Sequence, residues 1–295
     1  MRGVFTKAIV RPPSGNFAAG LTTAELGTPD YHLALEQHAA YCAALEQCGL
    51  QLIKLAADER YPDSCFVEDA AIIFEVLPVE HHTRDSRAGT PLDRGTAPDA
   101  PQVIQDLPAL TRHAVLALPG ALSRRGEIES MRGELAGLFH TIDEIRSPGT
   151  VDGGDICEAG RHFFIGISER TNEAGAHQLA AILTRHGYTS SLVDIRGVSG
   201  LLHLKSGLAY LGDKTLVVIE ALANREEFRG YDLIQVQRGE EYAANCIEVN
   251  GHVLMAAGHS SFAAKLSELG YKTIALQMSE FEKMDGGLSC LSVRW

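Results

Sequence analysis

The strongest constraint on the fold is a unit that recurs along the chain: a helix that ends at a glycine and is followed at once by a short apolar strand. Residues 172–186 have the pattern of such a helix, followed by Gly187 and the strand TSSLVDI. Residues 261–269 repeat it, with Gly270 and then KTIALQM. Glycine often ends helices because it adopts the left-handed backbone conformation without strain. The pattern therefore predicts a fold built from α/β units of one kind.

Three further segments fit the same unit. The first begins at the triplet TPD (28–30), which predicts an N-cap with proline in the first helical position, and it ends at Gly49 before LQLIKL. Weaker copies span Arg124–Phe139, before TIDEIR, and Asn224–Phe228, before DLIQVQ. With these segments, the chain carries five candidate units.

Short apolar strands with polar starts lie between the helices, and their spacing is that of a repeat. Anchors at Asp155, Ser206, Asn245 and Cys290 recur at intervals of roughly 40 to 50 residues. We predict a closed, five-fold pseudo-symmetric α/β propeller in one domain, 1–295, with an open mixed sheet as the alternative. The stretch at about 78–119 is rich in Pro, Gly and charge and is predicted to be an insertion loop.

Net charge and the distribution of apolar residues limit the classes of ligand and the cellular location that we expect. The chain of 295 residues has 38 acidic and 26 basic side chains and a formal charge of −12, which disfavours nucleic acid and anionic membranes and favours a cationic small molecule. The N-terminus lacks the apolar core of a signal peptide, and no apolar run is long enough to span a bilayer, so we expect a cytoplasmic protein. Monomer and homodimer both remain open.

One cysteine is a candidate nucleophile. The six cysteines are dispersed without a CxxC pair, and we interpret five of them as apolar core residues. Cys290 follows two glycines in what the pattern predicts is the closing strand, where a ring would point its side chain inward. A nucleophilic thiol needs a group that takes or shares its proton, and His203 is the one histidine at a comparable strand start. Asp152 is the candidate to orient that imidazole.

The alternative interpretation of these residues is structural. Most Cys and His pairs in a single sequence are core residues, and GGD (153–155) alone is usually a hairpin turn. The adjacent acids Glu68 and Asp69 within an apolar run are harder to explain by packing, because buried carboxylates cost free energy unless a partner or ligand compensates them. The two acids therefore indicate a cationic ligand.

Six stretches together resemble the motifs of the dimethylarginine dimethylaminohydrolases, members of the guanidine-modifying (pentein) superfamily. The resemblance covers nearly the whole chain outside 78–119. The stretches are PDSCFVED (62–69), SRRGE (123–127), VDGGDICEAGRHFFIGISERTN (151–172), GLLHLKS (200–206), AANCIEVN (243–250) and MSEFEKMDGGLSC (278–290). The resemblance implies a five-bladed α/β propeller that hydrolyses Nω-methylated arginine to citrulline and an amine.

The resemblance also implies roles for individual residues. Cys290 would attack the guanidinium carbon, His203 would move protons, and Asp152 would hold His203. Asp69 would bind the guanidinium, Asp63 the α-amino group, and two arginines the carboxylate. The segment RPPSGNFAAGLTTAEL (11–26) resembles a flexible lid. The full set of implied substrate-binding residues is Leu21, Asp63, Phe66, Glu68, Asp69, Arg124, Arg170, Met284 and Asp285.

Related activities remain as alternatives. Arginine deiminases and amidinotransferases carry an acid two residues after the catalytic histidine, where this chain has Lys205, which favours a methylated over a plain guanidinium. A binding protein of the same fold and a thiol acyltransferase or protease are weaker alternatives. No cofactor motif is present in the sequence, and we expect no metal. His81, His82 and His113 could bind one, but a solvated loop is the preferred interpretation.

Overall fold

The computed structural model describes residues 4–76 and 111–295, and within them fifteen strands form five three-stranded sheets. The helices are α1 Tyr31–Gln47, α2 Glu127–Leu138, α3 Glu173–Arg185, α4 Ser260–Glu268 and α5 Ser279–Glu282. The strands are β1 Lys7–Val10, β2 Gln51–Lys54, β3 Ala71–Val76, β4 Thr111–Leu116, β5 Ile142–Glu144, β6 Ile156–Ala159, β7 His162–Ile167, β8 Thr189–Asp194, β9 Leu208–Gly212, β10 Thr215–Val218, β11 Asp232–Gln235, β12 Ile247–Val249, β13 His252–Ala256, β14 Lys272–Leu276 and β15 Val293–Arg294.

Each sheet is one blade of a five-bladed propeller, as predicted. In the third blade β6 and β7 form an antiparallel hairpin, α3 follows, and β8 returns parallel to β7. The second, fourth and fifth blades have the same strand order, β3-β4-β5, β9-β10-β11 and β12-β13-β14. Two adjacent parallel strands need a long connection, usually a helix, that returns the chain to the same end of the sheet. This requirement explains the recurring helix and strand in the sequence.

The two ends of the chain complete the remaining blade. The strand β15 pairs antiparallel with β1, and β1 pairs parallel with β2 after the crossover through α1. The backbone N–H groups of Thr6 and Lys7 both donate to the carbonyl of Trp295, at 2.8 and 2.9 Å. The Trp295 ring is buried against Phe139, with 5.6 Å between ring centroids. The C-terminal strand therefore closes the ring of blades by pairing with the N-terminal strand.

Helix ends follow the predicted capping with one correction. The Asp30 carboxylate caps α1 by accepting from the N–H groups of His32 and Leu33, and the Asn172 side chain caps α3 by accepting from Gly175. Pro29 therefore precedes the cap, and its predicted place as the first helical residue is wrong. A side-chain cap satisfies N–H groups that have no partner within the helix, at a gain of about 1 kcal/mol.

Two predicted boundaries are also wrong. The segment 224–228 forms only a 3-10 turn, Glu226–Phe228, so the fourth blade uses short turns where the others use a helix. The predicted insertion extends too far, because β4 is a central strand of the second blade with Ala114 and Val115 fully buried. The residues of β4, TRHAVL, show no polar–apolar alternation, and the strand was therefore predicted as part of the insertion. The rest of the predicted insertion, with His81 and His82, lies outside the described residues.

Apolar packing fills the space between neighbouring blades. One cluster joins Phe164 of the third blade to Leu216 and Phe228 of the fourth, and another joins Tyr41 of α1 to Leu254 of the fifth. Burial of each such side chain contributes on the order of 1.5–3 kcal/mol. No helix in the described ranges combines the length and apolar character needed to cross a bilayer.

Candidate active site

The site is built from five 3-10 turns, one at the inner start of each blade. They are Val67–Ala70, Gly153–Asp155, Leu204–Ser206, Glu241–Ala244 and Ser289–Leu291, and neighbouring turns contact one another around the axis. The prediction that blade starts converge is confirmed. Cys290 lies in the last of these turns, before β15, so its predicted place within the closing strand is wrong by a few residues.

One cavity beside these turns brings together most of the predicted site. Cys290 and His203 both line it. Its volume is about 20 Å³, enough for roughly one water molecule, so a substrate must displace part of the wall. Leu202 and Gly286 line it without having been predicted. The predicted substrate-binding residues that line it are Leu21, Asp63, Phe66, Asp69, Arg124, Arg170, Met284 and Asp285.

His203 is held by Asp152, as the sequence predicts. Its Nε2 lies 3.1 Å from Asp152 Oδ2, and Asp152 Oδ1 accepts from the N–H of Gly120 at 2.8 Å. Burial alone would lower the pKa of His203, but the charge of Asp69 and the hydrogen bond to Asp152 outweigh it and raise the pKa to about 9. The imidazole is therefore protonated at neutral pH and can act as an acid.

Asp155, which follows Gly154 in the same turn, holds the backbone next to His203. Its Oδ1 accepts from the backbone N–H of Leu204 at 2.9 Å, and its Oδ2 accepts from Ser168 Oγ at 2.7 Å. A Cβ at Gly154 would lie 2.7 Å from Nδ1 of the His203 ring, so that position has room only for glycine. Asp155 thus fixes the turn that begins after His203. The sequence marked Asp155 only as a strand start, because its partners come from other blades.

Cys290 is a buried thiol in the free protein. Burial raises its pKa to about 12, and the negative charges of Glu68 and Asp69 add to the effect. Asn245 holds the turn that carries it: Asn245 Oδ1 accepts from the N–H of Ser289 at 2.9 Å. The second glycine before the cysteine makes room for this amide, since a Cβ at Gly287 would lie 2.5 Å from the Asn245 side chain. The glycines clear space for neighbours, not for the sulfur itself.

Asp69 and Arg124 form a buried ion pair at the base of the cavity. Arg124 Nη1 donates to Asp69 Oδ2 at 2.6 Å, while its Nε and Nη2 bind the two carboxylate oxygens of Glu127 at 3.0 and 2.9 Å. Burial raises the pKa of Asp69, but His203 and Arg124 more than offset it and lower that pKa to about 2. Asp69 is therefore ionised. Because Nη2 also donates to two backbone carbonyls, Arg124 retains one N–H at most for a substrate carboxylate.

Arg170 is the freer of the two predicted arginines. It lines the cavity half-buried, and within residues 4–76 and 111–295 its guanidinium has no hydrogen-bond or ion-pair partner. Its backbone is held near the site, because its N–H donates to Ser168 Oγ at 3.0 Å. Arg170 is thus available for an anionic group, whereas Arg124 is largely satisfied.

The segment around Leu21 covers the cavity. The backbone N–H of Leu21 donates to Asp63 at 3.0 and 3.2 Å, and Thr22 Oγ1 donates to the carbonyl of Lys283 at 2.8 Å. Thr23 binds Asp285 through both its N–H and its hydroxyl. These bonds hold the segment over the cavity. Two of the acceptors, Asp63 and Asp285, are side chains that the sequence analysis assigned to substrate binding.

Glu68 faces a different space from the other predicted site residues. It lines a second cavity of about 110 Å³ with Ser289 and Arg294 and accepts from Lys205 Nζ at 2.5 Å. Burial raises the pKa of Glu68 despite Lys205. Its Oε2 has no hydrogen-bond partner in the described parts of the chain. The role of Lys205 as its counter-ion was not predicted, because no local pattern links residues from separate blades.

Comparison with known proteins agrees with this geometry. A dimethylarginine dimethylaminohydrolase from Pseudomonas aeruginosa is 39% identical over 99% of this chain and 100% of its own length, and one from Streptomyces coelicolor is 32% identical over 98% and 96%. The chain belongs to the dimethylarginine dimethylaminohydrolase family. The sequence model of the family described as arginine deiminase matches residues 136–257.

Solved structures show the same fold. The P. aeruginosa dimethylarginine dimethylaminohydrolase, as a mutant complexed with citrulline, superposes with a TM-score of 0.82 at 38% identity, covering 99% of this chain and 100% of that one. The N-terminal domain of ArgZ, a cyanobacterial arginine dihydrolase, superposes with a TM-score of 0.74 at 19% identity, covering 99% of this chain and 97% of that one. At this low identity the similarity supports the fold only.

Proposed function

We propose that the protein hydrolyses Nω-methylated arginine to citrulline and methylamine or dimethylamine, with Cys290 as the nucleophile. One observation carries the proposal. In a chain of this family, a thiol and an imidazole paired with a carboxylate line one cavity together with Asp69 and Arg170. The Asp69 carboxylate and the Arg170 guanidinium, which has no partner among the described residues, match an amino acid with a cationic tail and an anionic head.

The first step forms a covalent intermediate. The sulfur of Cys290 as thiolate attacks the guanidinium carbon, and the tetrahedral adduct collapses as the carbon–nitrogen bond to the methylated nitrogen breaks. Protonated His203 donates a proton to that nitrogen, so a neutral amine leaves and a cationic thiouronium remains on the enzyme. The Asp152 bond keeps the imidazolium oriented for this transfer.

The substrate itself helps to form the thiolate. In the free protein burial raises the pKa of Cys290, and Glu68 and Asp69 raise it further because a third negative charge near them is unfavourable. A guanidinium bound beside Asp69 brings a positive charge next to the sulfur, which counteracts that effect. The nucleophile is therefore generated when the substrate binds, and the thiol of the free protein reacts slowly with other electrophiles.

The second step releases citrulline. Neutral His203 takes a proton from water, and the resulting hydroxide attacks the thiouronium carbon. The tetrahedral adduct then loses its hydroxyl proton to solvent as the carbon–sulfur bond breaks and returns the Cys290 thiolate. The carbonyl of citrulline comes from that water. Both steps use the same imidazole, first as acid and then as base.

Lys205 favours a methylated substrate. It occupies the place two residues after His203 where related deiminases carry an acid, and its ammonium is bound to Glu68 at 2.5 Å. The guanidinium site therefore receives no carboxylate from that position for N–H donors. A buried donor left without an acceptor costs about 1–3 kcal/mol, so plain arginine is expected to bind more weakly than its methylated form.

Product analysis tests the proposal. The protein is incubated separately with dimethylarginine, monomethylarginine, arginine and agmatine, and citrulline or the ureido product is assayed together with the released amine. We expect citrulline and dimethylamine from dimethylarginine. Preferential turnover of arginine with ammonia release would support the alternative of an arginine deiminase activity, which the family match over 136–257 favours. No turnover of any substrate would contradict the proposal and favour a binding protein.

We also propose that the chain is one catalytic domain that acts in the cytoplasm without a cofactor, as a monomer or homodimer. The continuous ring of five blades closed by β15 and β1 supports the single domain. Light scattering of the purified protein measures the oligomer, and a value larger than a dimer would contradict this proposal.

A further inference from the structure

Outside the cavity, three potential metal ligands meet at the interface of the second and third blades. His113 lies on β4, Asp143 on the adjacent parallel strand β5, and His186 directly after α3. Val115 pairs with Asp143, so His113, two residues earlier on β4, presents its side chain on the same face of the sheet as Asp143. The His113 cluster, defined as these three residues, therefore joins two blades.

The donor atoms of the His113 cluster already converge. His113 Nε2 lies 2.8 Å from Asp143 Oδ2, and the two imidazole rings are 4.3 Å apart with a tilt of 36°. One ligand atom from each residue lies within 4.8 Å of the others. Two imidazoles and one carboxylate form a donor set that suits Zn²⁺ and leaves a fourth position for water. Small side-chain shifts bring these atoms to the separations found around a tetrahedral ion.

The residues around the His113 cluster resemble those that support known metal-binding sites. Thr141 Oγ1 lies 3.2 Å from Nδ1 of His113, which leaves Nε2 as the nitrogen that faces Asp143. A hydrogen bond on the second ring nitrogen is the usual support of a histidine ligand. The Phe74 ring packs on both imidazoles, with centroids 5.4 and 5.3 Å away, and limits their rotation. The first ligand is buried, while the other two are half-buried and accessible to an ion from solvent.

A cation already occupies the position beside the carboxylate. Arg185 Nη2 donates to the same Asp143 Oδ2 at 2.8 Å, and the Arg185 side chain is 60% exposed. Oδ2 thus has both an imidazole nitrogen and a guanidinium within hydrogen-bond distance. An exposed arginine costs little to release into water, so a metal ion can replace its bond to Asp143.

We propose that His113, Asp143 and His186 form a binding site for a divalent transition metal, with Zn²⁺ the best match, separate from the cavity of Cys290. The ion would replace the proton between His113 Nε2 and Asp143 Oδ2 and displace Arg185. It would tie β4, β5 and the end of α3 together, so binding should stabilise the junction of the second and third blades against unfolding.

Calorimetric titration with Zn²⁺ tests the proposal in the Cys290→Ser protein, where a thiolate ligand is removed. We expect about one bound ion, and its affinity should fall at least about tenfold in the additional variants His186→Gln and Asp143→Asn, which each remove one ligand. His177→Gln changes an exposed histidine on the same helix and should leave the affinity unchanged. Arg185→Gln removes the competing cation and should tighten binding.

Two further readouts decide the outcome. With Co²⁺ in place of Zn²⁺, the absorption spectrum should show ligand-field bands without a thiolate charge-transfer band, and the bands should disappear in His186→Gln. The midpoint of thermal unfolding should rise with Zn²⁺ in the parent and not in that variant. Equal Zn²⁺ affinity in the parent, His186→Gln and Asp143→Asn, or no binding once Cys290 is replaced, would overturn the proposal.

Discussion

Replacement of Asp152 by Asn tests how the catalytic imidazole is tuned. Asn has nearly the same shape, so its carbonyl oxygen can still accept from Gly120 while its amide faces Nε2 of His203. The variant therefore removes the negative charge and the acceptor 3.1 Å from the ring and keeps the backbone in place.

The size of the effect follows from that bond. A buried hydrogen bond to a charged group contributes about 1.5–3 kcal/mol, and about 1.4 kcal/mol corresponds to one pKa unit. The pKa of His203 should fall from about 9 by roughly one to two units. Loss of a correctly oriented acid and base should also lower kcat by about 10²–10⁴-fold.

The pH profile of kcat/KM for dimethylarginine measures the shift. The reactive form carries a Cys290 thiolate and a protonated His203, whose pKa values are about 12 and about 9. Below pH 9 both groups hold their protons, so kcat/KM should rise tenfold per pH unit and level off near pH 9. In Asp152→Asn the rise should end one to two pH units lower.

Asp155→Asn is the matched comparison. It removes another buried carboxylate near His203 but keeps the 3.1 Å bond of the ring, so its shift should be smaller. A profile of Asp152→Asn that levels off at the same pH as the wild type, with unchanged kcat, would refute the assigned role of Asp152.

Three other substitutions probe separate parts of the site. Arg170→Ala should raise KM for dimethylarginine about 10–100-fold with a smaller change in kcat, because it removes a charge-assisted bond to the substrate carboxylate; an unchanged KM would contradict this. Lys205→Met should lower the free energy of unfolding in urea by about 3–5 kcal/mol, since the buried Glu68 loses its close partner and retains only Arg294, whose Nη2 lies 3.8 Å away, whereas Lys205→Arg should retain most of the stability. Cys290→Ser should abolish citrulline formation while a dialysis assay still detects substrate binding, and measurable turnover would exclude the thiol as nucleophile.

Much of the blade architecture was accessible from the sequence because it is local. The helix that ends just before Gly187 and the strand that follows are encoded within about twenty residues, and their repetition predicts the propeller. The fourth unit was predicted, but its helix was wrong, since the crossover is made from short turns such as Glu226–Phe228. The strand β4 was missed because its sequence, TRHAVL, has no polar–apolar alternation.

The candidate site was predictable in its residue types and only partly in its contacts. Cys290, His203 and Asp152 were identified by their place at blade starts, and the structure brings Asp152 and His203 into contact. The engagement of Arg124 by Asp69 and Glu127, and of Glu68 by Lys205, depends on how separate turns pack at the axis. No periodicity in one segment carries that information. The roles of the substrate-binding residues stay predictions until binding is measured.

Rapid acid quenching followed by mass spectrometry tests the central claim most directly. Protein mixed with dimethylarginine is quenched within milliseconds to seconds and digested, and the peptide that contains Cys290 is analysed. We predict a transient mass increase equal to the substrate minus dimethylamine on that peptide, which disappears as citrulline accumulates. Citrulline formation without an adduct at any quench time, or an adduct on a different cysteine, would contradict the assignment of Cys290 as the nucleophile.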